Sequence, residues 1–187
     1  MVKKSMEKRR LLSKVWWKEG QLHRQKGPAA MKWGGIDGLI TGHAWFMNGK
    51  RHRRDGPALI EWAGKRSSDT NTNKIDRECW YVNDKKHNMD GPATTMWLDG
   101  IKIRESWYFD GKRHRLDNPA ITCWSYPDRV ITSIHMYVDN ERHSLADPAE
   151  IEWTEGIKTY EVWCNRGKLH RSDGPALSYW VDDIILI

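Results

Sequence analysis

Residues 107–124 read WYFDGKRHRLDNPAITCW, and this stretch decides the fold because five other segments of the chain repeat its pattern. In every copy a histidine is followed five residues later by Pro-Ala. A leading tryptophan stands seven residues before the histidine, replaced once by Met136, and a trailing tryptophan stands five residues after each proline. The motif histidines are His23, His52, His87, His114, His143 and His170, and the motif prolines are Pro28, Pro57, Pro92, Pro119, Pro148 and Pro175.

The spacing of the copies indicates a repeat array. Successive motif histidines lie 29, 35, 27, 29 and 27 residues apart, and such a period is typical of stacked units that contact mainly their neighbours. We therefore predict one elongated domain of six repeats over residues 16–181. A basic N-terminal arm (residues 1–15), either a short helix or a disordered tail, precedes it, and an apolar C-terminal cap (182–187) follows.

Each copy carries the chemistry of a β-turn. The position four residues after the leading tryptophan, or after Met136, is Gly, Gly, Asp, Gly, Asn and Gly in the six repeats, and these residue types tolerate positive φ. Gly, Asn or Asp precedes each motif proline and alanine follows each one, where a larger side chain would collide with the next repeat. A lone hairpin is only marginally stable, so each two-stranded unit needs stacked neighbours. The sequence thus predicts an all-β fold, an elongated array of six antiparallel two-stranded β-hairpin repeats in a single-layer or open solenoid-like sheet.

The composition suggests which side chains form the core. The chain has twelve tryptophans but only two phenylalanines, and 39% of its residues are hydrophobic. We expect the indole rings, such as those of Trp107 and Trp124, to fill a thin core.

The net charge of +6 comes almost entirely from the arm. The arm holds six basic residues against Glu7, whereas basic and acidic residues nearly balance in the rest of the chain. A nucleic-acid-binding body normally shows a concentrated basic face, so contact with nucleic acid or anionic lipid is expected only through the arm. Its candidate partner-binding residues are Lys3, Lys4, Lys8, Arg9, Arg10 and Lys14.

Three cysteines without a CxxC pair argue against a disulfide framework and favour a reducing compartment. The first residues lack the apolar core of a signal peptide, and we expect no transmembrane segment and no secretion.

Six histidines with nearby aspartates invite a metal or acid–base interpretation. Equivalent histidines in a stack of two-stranded units lie roughly 9 to 10 Å apart, whereas zinc needs each ligand nitrogen at about 2 Å. An active site is also normally single, while the His/Asp pair, as in His114 and Asp117, recurs in four repeats. We therefore interpret the motif histidines and prolines as structural, with each histidine bonded to a loop carbonyl or to that aspartate. We predict no catalytic residue, no metal and no cofactor, and we interpret His43 and His135 as ordinary strand or surface residues.

The arginine after the motif histidine has two possible roles. Arg53, Arg115 and Arg171 could stack on tryptophan faces or bind phosphate oxygens. The aspartate present in the same repeats favours intramolecular pairing.

Departures from the pattern are candidates for specific function. They comprise the arm, an inserted polar loop at residues 63–73, the apolar tail, and the fifth repeat, where Met136, Ser144 and Ala146 break the motif. The inserted loop is either neutral or a contact specific to this protein.

The strand, Asn-Gly-Lys turn, strand pattern resembles MORN-type hairpin repeats. The fuller signature Gly-Lys-x-His-Arg-x-Asp-Gly-Pro-Ala, best matched at residues 49–58 and 167–176, resembles repeat proteins of large DNA viruses, marseillevirus-like ones especially, and of some phages. Lys26 and Asn88 depart from the signature in repeats one and three. The resemblance implies an all-β, non-catalytic interaction scaffold.

We therefore expect a non-enzymatic viral protein that contacts other viral structural proteins as a minor component of the virion or of an assembly, in the virion or the host cytoplasm. Two alternatives stay open. One is a host-directed binding module, such as an inhibitor of a defence protein. The other is a nucleic-acid or anionic-membrane adaptor that acts through the arm.

Overall fold

The computed structural model describes residues 12–34, 38–63 and 74–181, and within these ranges the only regular elements are β-strands. The strands are β1 (Ser13–Val15), β2 (Trp17–Lys18), β3 (Gln21–Leu22), β4 (Ala30–Trp33), β5 (Ile40–Ala44), β6 (Phe46–Met47), β7 (Lys50–Arg51), β8 (Leu59–Trp62), β9 (Ile75–Cys79), β10 (Tyr81–Val82), β11 (Lys85–Lys86), β12 (Thr94–Leu98), β13 (Ile101–Ser106), β14 (Tyr108–Phe109), β15 (Lys112–Arg113), β16 (Ile121–Trp124), β17 (Ile131–His135), β18 (Tyr137–Val138), β19 (Glu141–Arg142), β20 (Glu150–Thr154), β21 (Ile157–Val162), β22 (Cys164–Asn165), β23 (Lys168–Leu169) and β24 (Leu177–Tyr179).

Twelve of the strands form one antiparallel sheet in the order β1-β4-β5-β8-β9-β12-β13-β16-β17-β20-β21-β24. The other twelve strands are two residues long and pair as six small hairpins. The predicted all-β repeat array is confirmed. Strand β1 extends the sheet into the segment assigned to the arm from sequence, because Ser13–Val15 pairs with β4.

Each repeat contributes two strands to the large sheet and one small hairpin between them. In the fourth repeat β13 runs into the small hairpin β14–β15, and the chain then returns through Pro119-Ala120 into β16. The backbone N–H of Trp107 donates to the carbonyl of Ala120 at 2.7 Å, and the N–H of His114 donates to the carbonyl of Trp107 at 3.2 Å. These two bonds close the base of the small hairpin and hold it against the sheet.

The six tight turns have the geometry that the sequence predicts. Asp110 and Gly111 have φ of 47° and 86°, and the equivalent pair is left-handed in every other repeat. Two successive left-handed residues define the type I′ turn, whose twist matches that of paired strands.

A β-bulge precedes the trailing tryptophan in five repeats. In the fourth repeat the register shifts between Cys123 and Trp124, so that Cys123 faces Ser133 and Trp124 faces Ile131. Equivalent shifts precede Trp33, Trp62, Trp97 and Trp153. A bulge adds one residue to one strand and re-aims the next side chain, which gives the trailing tryptophans a common orientation.

The core consists of small side chains rather than indole rings. The alanines after the first five motif prolines are fully buried at 0% exposure: Ala29, Ala58, Ala93, Ala120 and Ala149. Trp107 and Trp124 are only half-buried, so the expectation that tryptophans fill the core is wrong. A single-layer sheet has no second sheet to cover a large ring, and the rings instead lie on its surface with one face covered by neighbouring side chains.

Several predicted features lie outside the described residues. They are Lys3, Lys4, Lys8, Arg9 and Arg10 of the arm, residues 64–73 of the inserted loop, and the cap 182–187.

Candidate interaction surface

The motif histidines join each repeat to the next. In the first five repeats the histidine Nδ1 accepts a hydrogen bond from the backbone N–H of the first turn residue in the following repeat. The nitrogen-to-nitrogen distance is 3.1 Å between Asp110 and His87, and 3.1 Å between Asn48 and His23. In repeats one and two the same Nδ1 also lies 2.8 Å from Asn48 Oδ1 and 2.9 Å from Asn83 Oδ1, so the turn residue of the next repeat meets the ring with both its N–H and its side chain. The partner is therefore a backbone N–H of another repeat, not the loop carbonyl or nearby aspartate expected from sequence.

Two backbone hydrogen bonds flank each of these histidine contacts. Between repeats three and four, the Asn88 N–H donates to the carbonyl of Tyr108 at 3.4 Å, and the Gly111 N–H donates back to the carbonyl of Lys86 at 2.8 Å. The same pair of bonds recurs between all other neighbouring repeats. We call the set of two backbone bonds and one histidine bond a joint, and the six repeats form five joints.

The arginine after the motif histidine covers the leading tryptophan. Its guanidinium carbon lies about 4 Å from the ring centroid in four repeats, in the pairs Arg24 and Trp16, Arg53 and Trp45, Arg115 and Trp107, and Arg171 and Trp163. Arginine–tryptophan stacking of this kind is attractive, so each stack stabilises its own repeat.

The motif prolines accept hydrogen bonds from the same arginines. The carbonyl oxygen of the proline accepts from the guanidinium in four repeats, at 3.1 Å for Pro28, 3.3 Å for Pro57, 3.3 Å for Pro119 and 3.5 Å for Pro175. Pro175 is exposed, whereas the other five motif prolines are half-buried. The arginine thus fixes the bend between the histidine and the proline.

Two of the four motif aspartates, Asp55 and Asp173, pair with these arginines. Arg53 Nε donates to Asp55 at 3.1 Å, and Arg171 Nε donates to Asp173 at 3.1 Å. The side-chain hydrogen bond from Arg53 is the main reason that the pKa of Asp55 is lowered. The motif is thus an internally paired structural unit.

Repeats three and five lack this arginine and replace it differently. In repeat three Asn88 Nδ2 takes over the bond to the carbonyl of Pro92 at 3.2 Å. In repeat five Met136 stands in place of the tryptophan and Ser144 in place of the arginine, so both partners of the stack are absent together. Ser144 Oγ accepts instead from the N–H of Asp147, the residue before Pro148, at 3.2 Å. The bend at Pro148 is therefore fixed by a serine from within the loop.

A buried polar pair lies in the fifth repeat. His135 Nδ1 is 3.1 Å from Glu150 Oε1, and Arg142 Nη2 is 2.9 Å from Glu150 Oε2, the latter an ion-pair contact without hydrogen-bond geometry. Burial, reinforced by the charges of Arg142, Arg104 and Arg113, lowers the pKa of His135 to about 4. The ring is therefore held neutral, with Nδ1 beside the carboxylate and Nε2 3.2 Å from Ser133 Oγ.

The pKa values of the two buried carboxylates Glu150 and Glu161 move in opposite directions. Burial raises the pKa of Glu150, and Arg142 only partly offsets it. Burial also disfavours the charge of Glu161, but hydrogen bonds from Lys158 and Trp163, with the charges of Lys158 and Arg171, outweigh burial and lower its pKa. These contacts thus stabilise the ionised carboxylate of Glu161, which lies beside Trp163, the leading tryptophan of the sixth repeat.

Aromatic and cationic side chains alternate along the small hairpins. Lys86 Nζ lies 4.9 Å from the Tyr108 ring centroid, and the guanidinium of Arg113 lies 5.4 Å from that of Tyr137. Arg51 lies in the same way between Phe46 and Tyr81. The contacts with Tyr108, Tyr137 and Tyr81 cross the joints and therefore bind neighbouring hairpins to one another.

The bends between histidine and proline present an apolar row to solvent. Met89, Leu116 and Leu145 occupy the second position after the motif histidine in repeats three, four and five, with exposures of 76%, 68% and 80%. The equivalent residues of the other repeats are Gln25, Arg54 and Ser172. A groove of about 670 Å³, lined in part by Arg53, Trp80, His87 and Met89, lies beside the first of the three apolar residues. We call Met89, Leu116 and Leu145 the apolar ridge.

The predicted site residues divide into two groups. The six motif histidines begin the bends and the motif prolines Pro28, Pro57, Pro92, Pro119, Pro148 and Pro175 end them, and five of the histidines belong to joints. His170, in the last repeat, has no joint partner among the described residues. Of the six candidate partner-binding residues of the arm only Lys14 is described, in edge strand β1, with its Nζ 5.2 Å from the Trp16 ring centroid.

Neither metal nor membrane features stand out in the described part of the chain. It contains no cluster of His, Cys, Asp and Glu side chains that could hold a metal ion. Nor does any helix within residues 12–34, 38–63 and 74–181 have the length and apolar character needed to cross a membrane.

No family model, curated protein sequence or solved structure matches this chain.

Sequence reasoning missed the ridge and the His135–Glu150 pair, although comparison of the repeats with one another contains a signal for both. Glu150 follows the motif alanine at a position where the other repeats carry Ala, Leu, Thr, Ile and Leu, which marks a charge in a buried row. The ridge residues share one repeat position. A comparison of every repeat position across the six copies, and not only of the positions whose residue recurs, identifies both features.

Proposed function

We propose that this chain is a non-enzymatic repeat scaffold that binds other proteins, and that the apolar ridge is its main contact surface. The ridge carries the proposal because three large apolar side chains are exposed at one repeat position in consecutive repeats. Single exposed apolar residues are ordinary, whereas an aligned group marks an interaction site. Equivalent positions in neighbouring repeats lie roughly 9 to 10 Å apart, so the ridge spans about 20 Å.

The surroundings of the ridge also favour a protein partner. Arg53 and Asp55, which pair with each other, line the groove beside Met89. An apolar centre with a polar, charge-balanced rim is the usual composition of a protein–protein interface. A phosphate backbone would instead favour a surplus of unpaired cations.

The histidines support a structural role for the motif. In five of the six, Nδ1 lies within hydrogen-bond distance of a backbone N–H of the next repeat, which favours a role in joining repeats over one as a general base or a metal ligand. We propose on this basis that the recurring His/Asp motif performs no catalysis.

The resemblance of the signature to repeat proteins of large DNA viruses favours structural proteins of a virus particle or its assembly as the partners. On this proposal the chain is a minor virion or assembly component, and the basic arm is a tether. Quantitative mass spectrometry of purified particles tests this part, and absence of the chain from them would contradict it.

The ridge itself is tested by exchange of its residues for those of the polar repeats. In the variant Met89→Gln, Leu116→Arg, Leu145→Ser, every new side chain is one that the array already carries at the same position. The matched control is Gln25→Ser, Arg54→Gln, Ser172→Gln.

We expect both variants to keep the thermal unfolding midpoint of the wild type, because all six positions are exposed. Affinity for a partner identified with the wild-type chain and then purified should fall at least about 100-fold in the ridge variant, because burying each of the three side chains contributes roughly 1 kcal/mol or more. The control should retain affinity. Equal affinity for wild type and ridge variant, or equal loss in the control, would refute the ridge as the contact surface.

A further inference from the structure

Within residues 12–34, 38–63 and 74–181, each of the two ends of the array presents one half of the joint that links every pair of neighbouring repeats. At the C-terminal end, His170 and the backbone groups around it stand where a following repeat would bind. At the N-terminal end, the turn Glu19-Gly20 stands where a preceding repeat would bind. Among the described residues neither end has such a neighbour.

From this we infer that the chain binds a second copy of itself head to tail, the first repeat of one copy continuing the last repeat of the other. The hydrogen bonds of the existing joints predict which atoms of the two copies would meet. Glu19 N–H would donate to His170 Nδ1, as Arg166 N–H donates to His143 at 3.3 Å. Gly20 N–H would donate to the carbonyl of Leu169, as Gly167 N–H donates to that of Arg142 at 2.9 Å.

The large sheet would continue through the same contact. Its edge strands are β1 and β24, and between neighbouring repeats the strand after Pro-Ala pairs antiparallel with the strand before the next leading residue. In the last joint this register pairs Glu150 with Val162. The same register pairs Leu177 of one copy with Val15 of the next, and it satisfies backbone groups of β1 and β24, the edge strands of the sheet in the described part of the chain.

The exposed side chains at the two ends complement each other. Trp17 and Leu169 are each 61% exposed, and they occupy the positions at which Tyr137 covers Arg113 inside the array. In the new joint Trp17 and Leu169 would cover one another. The two equivalent positions of the first joint, Phe46 and Leu22, are also apolar.

The charges match as well. The lysine five residues after the leading tryptophan contacts the turn of the next repeat, as in Lys85 and Asp110 with 2.9 Å between Nζ and Oδ2, and in Lys112 and Asp139 at 4.0 Å. The last such lysine is Lys168, and the turn residue that it would meet in a second copy is Glu19. The ends therefore carry opposite charges at this contact.

Such a contact joins two different surfaces and leaves one free end on each copy, so it does not close upon itself in a dimer. It predicts chains of copies whose length grows with concentration. Two end variants test this directly: Val15→Lys with Trp17→Lys blocks the N-terminal end, and Leu169→Lys with Leu177→Lys blocks the C-terminal end. Inward-facing charge on an edge strand is an effective barrier to pairing.

The measurement is sedimentation velocity of the full chain over a range of concentrations. Wild type should form species larger than a dimer, each blocked variant alone should stay monomeric, and an equimolar mixture of the two should give dimers and nothing larger. A monomeric wild type at all concentrations, a blocked variant that dimerises with itself, or a mixture that stays monomeric would overturn the inference.

A charge exchange provides a test that leaves the strands untouched. Glu19→Lys and Lys168→Glu are substitutions of exposed side chains beside the turns, so each variant should fold and associate several-fold more weakly than wild type, because an exposed ion pair is worth up to about 1 kcal/mol. The double variant, with both charges exchanged, should recover the association. Equal association of all four proteins would show that these ends do not meet.

Discussion

At the scale of single residues, the chain shows why burial alone does not decide the state of a charged group. Glu150 and Glu161 are both buried, yet their pKa values move in opposite directions because only Glu161 receives hydrogen bonds from Lys158 and Trp163. The carboxylate of Glu161 is therefore stabilised in the folded sheet, whereas that of Glu150 depends on Arg142 and His135.

His135 should make folding stability depend on pH. Its folded pKa of about 4 lies below its ordinary value of 6.5, so the unfolded chain binds more protons between these values and stability falls as pH drops through this window. The shift corresponds to about 3 kcal/mol at most. We expect the free energy of unfolding of His135→Gln, measured in urea, to lack this part of the decline between pH 7 and pH 4.

The control for this measurement is His170→Gln, which removes an exposed motif histidine that belongs to no joint within one copy, and both variants are compared at a concentration at which the wild type is monomeric. It should leave the decline of the wild type in place. If wild type and His135→Gln differ by the same free energy at pH 7, 5.5 and 4, the histidine is not held neutral by the fold.

At the scale of elements, the joint should be the energetic unit that couples hairpins. His87→Ala removes the acceptor for the Asp110 N–H and the ring that lies 5.0 Å from that of Phe109. Because Asp110 is exposed, the loss is that of an ordinary hydrogen bond, about 0.5 to 1.5 kcal/mol. We expect urea unfolding to show a loss of that size.

His170→Ala serves as the comparison for this variant, because His170 belongs to the same motif but to no joint within the described chain. Its unfolding free energy should stay within about 0.5 kcal/mol of wild type. Equal losses at His87 and His170 would mean that the histidine acts within its own repeat and not across the joint.

The turns, the invariant alanines and the antiparallel array could be predicted because each depends on local chemistry repeated six times. Gly111 needs positive φ wherever the hairpin lies, and Ala120 is followed by a strand in any such array. The partner of His114 could not be read in the same way, because it belongs to the next repeat and depends on how repeats stack. The burial of Trp107 was overestimated since the sequence records its apolar character but not the number of layers in the fold.

At the scale of the whole molecule, each repeat is a module that meets its neighbours through the same joint. Stability should then be close to a sum over repeats and joints. The degenerate fifth repeat fits this view, because Met136 and Ser144 replace the stacked pair together while its backbone joint bonds are kept.

The most direct test of this modularity is removal of one whole module. Deletion of residues 80–106 joins Cys79 to Trp107. Strand β9 then precedes the leading tryptophan of repeat four, as a leading strand does in every repeat, and Lys50 lies opposite Asp110 at the new joint. Deletion of residues 80–99 removes fewer residues but leaves two leading strands in succession, so the strands can no longer alternate in direction.

The measurement is urea unfolding followed by circular dichroism for wild type and both deletions. Both deletions should unfold with a reduced free energy and a smaller dependence on urea, as expected for a shorter array, but the second should lose more free energy although it removes fewer residues, because no joint can then link repeats two and four. Loss of folding in the first deletion, or equal stability of the two, would contradict the modular organisation of the array.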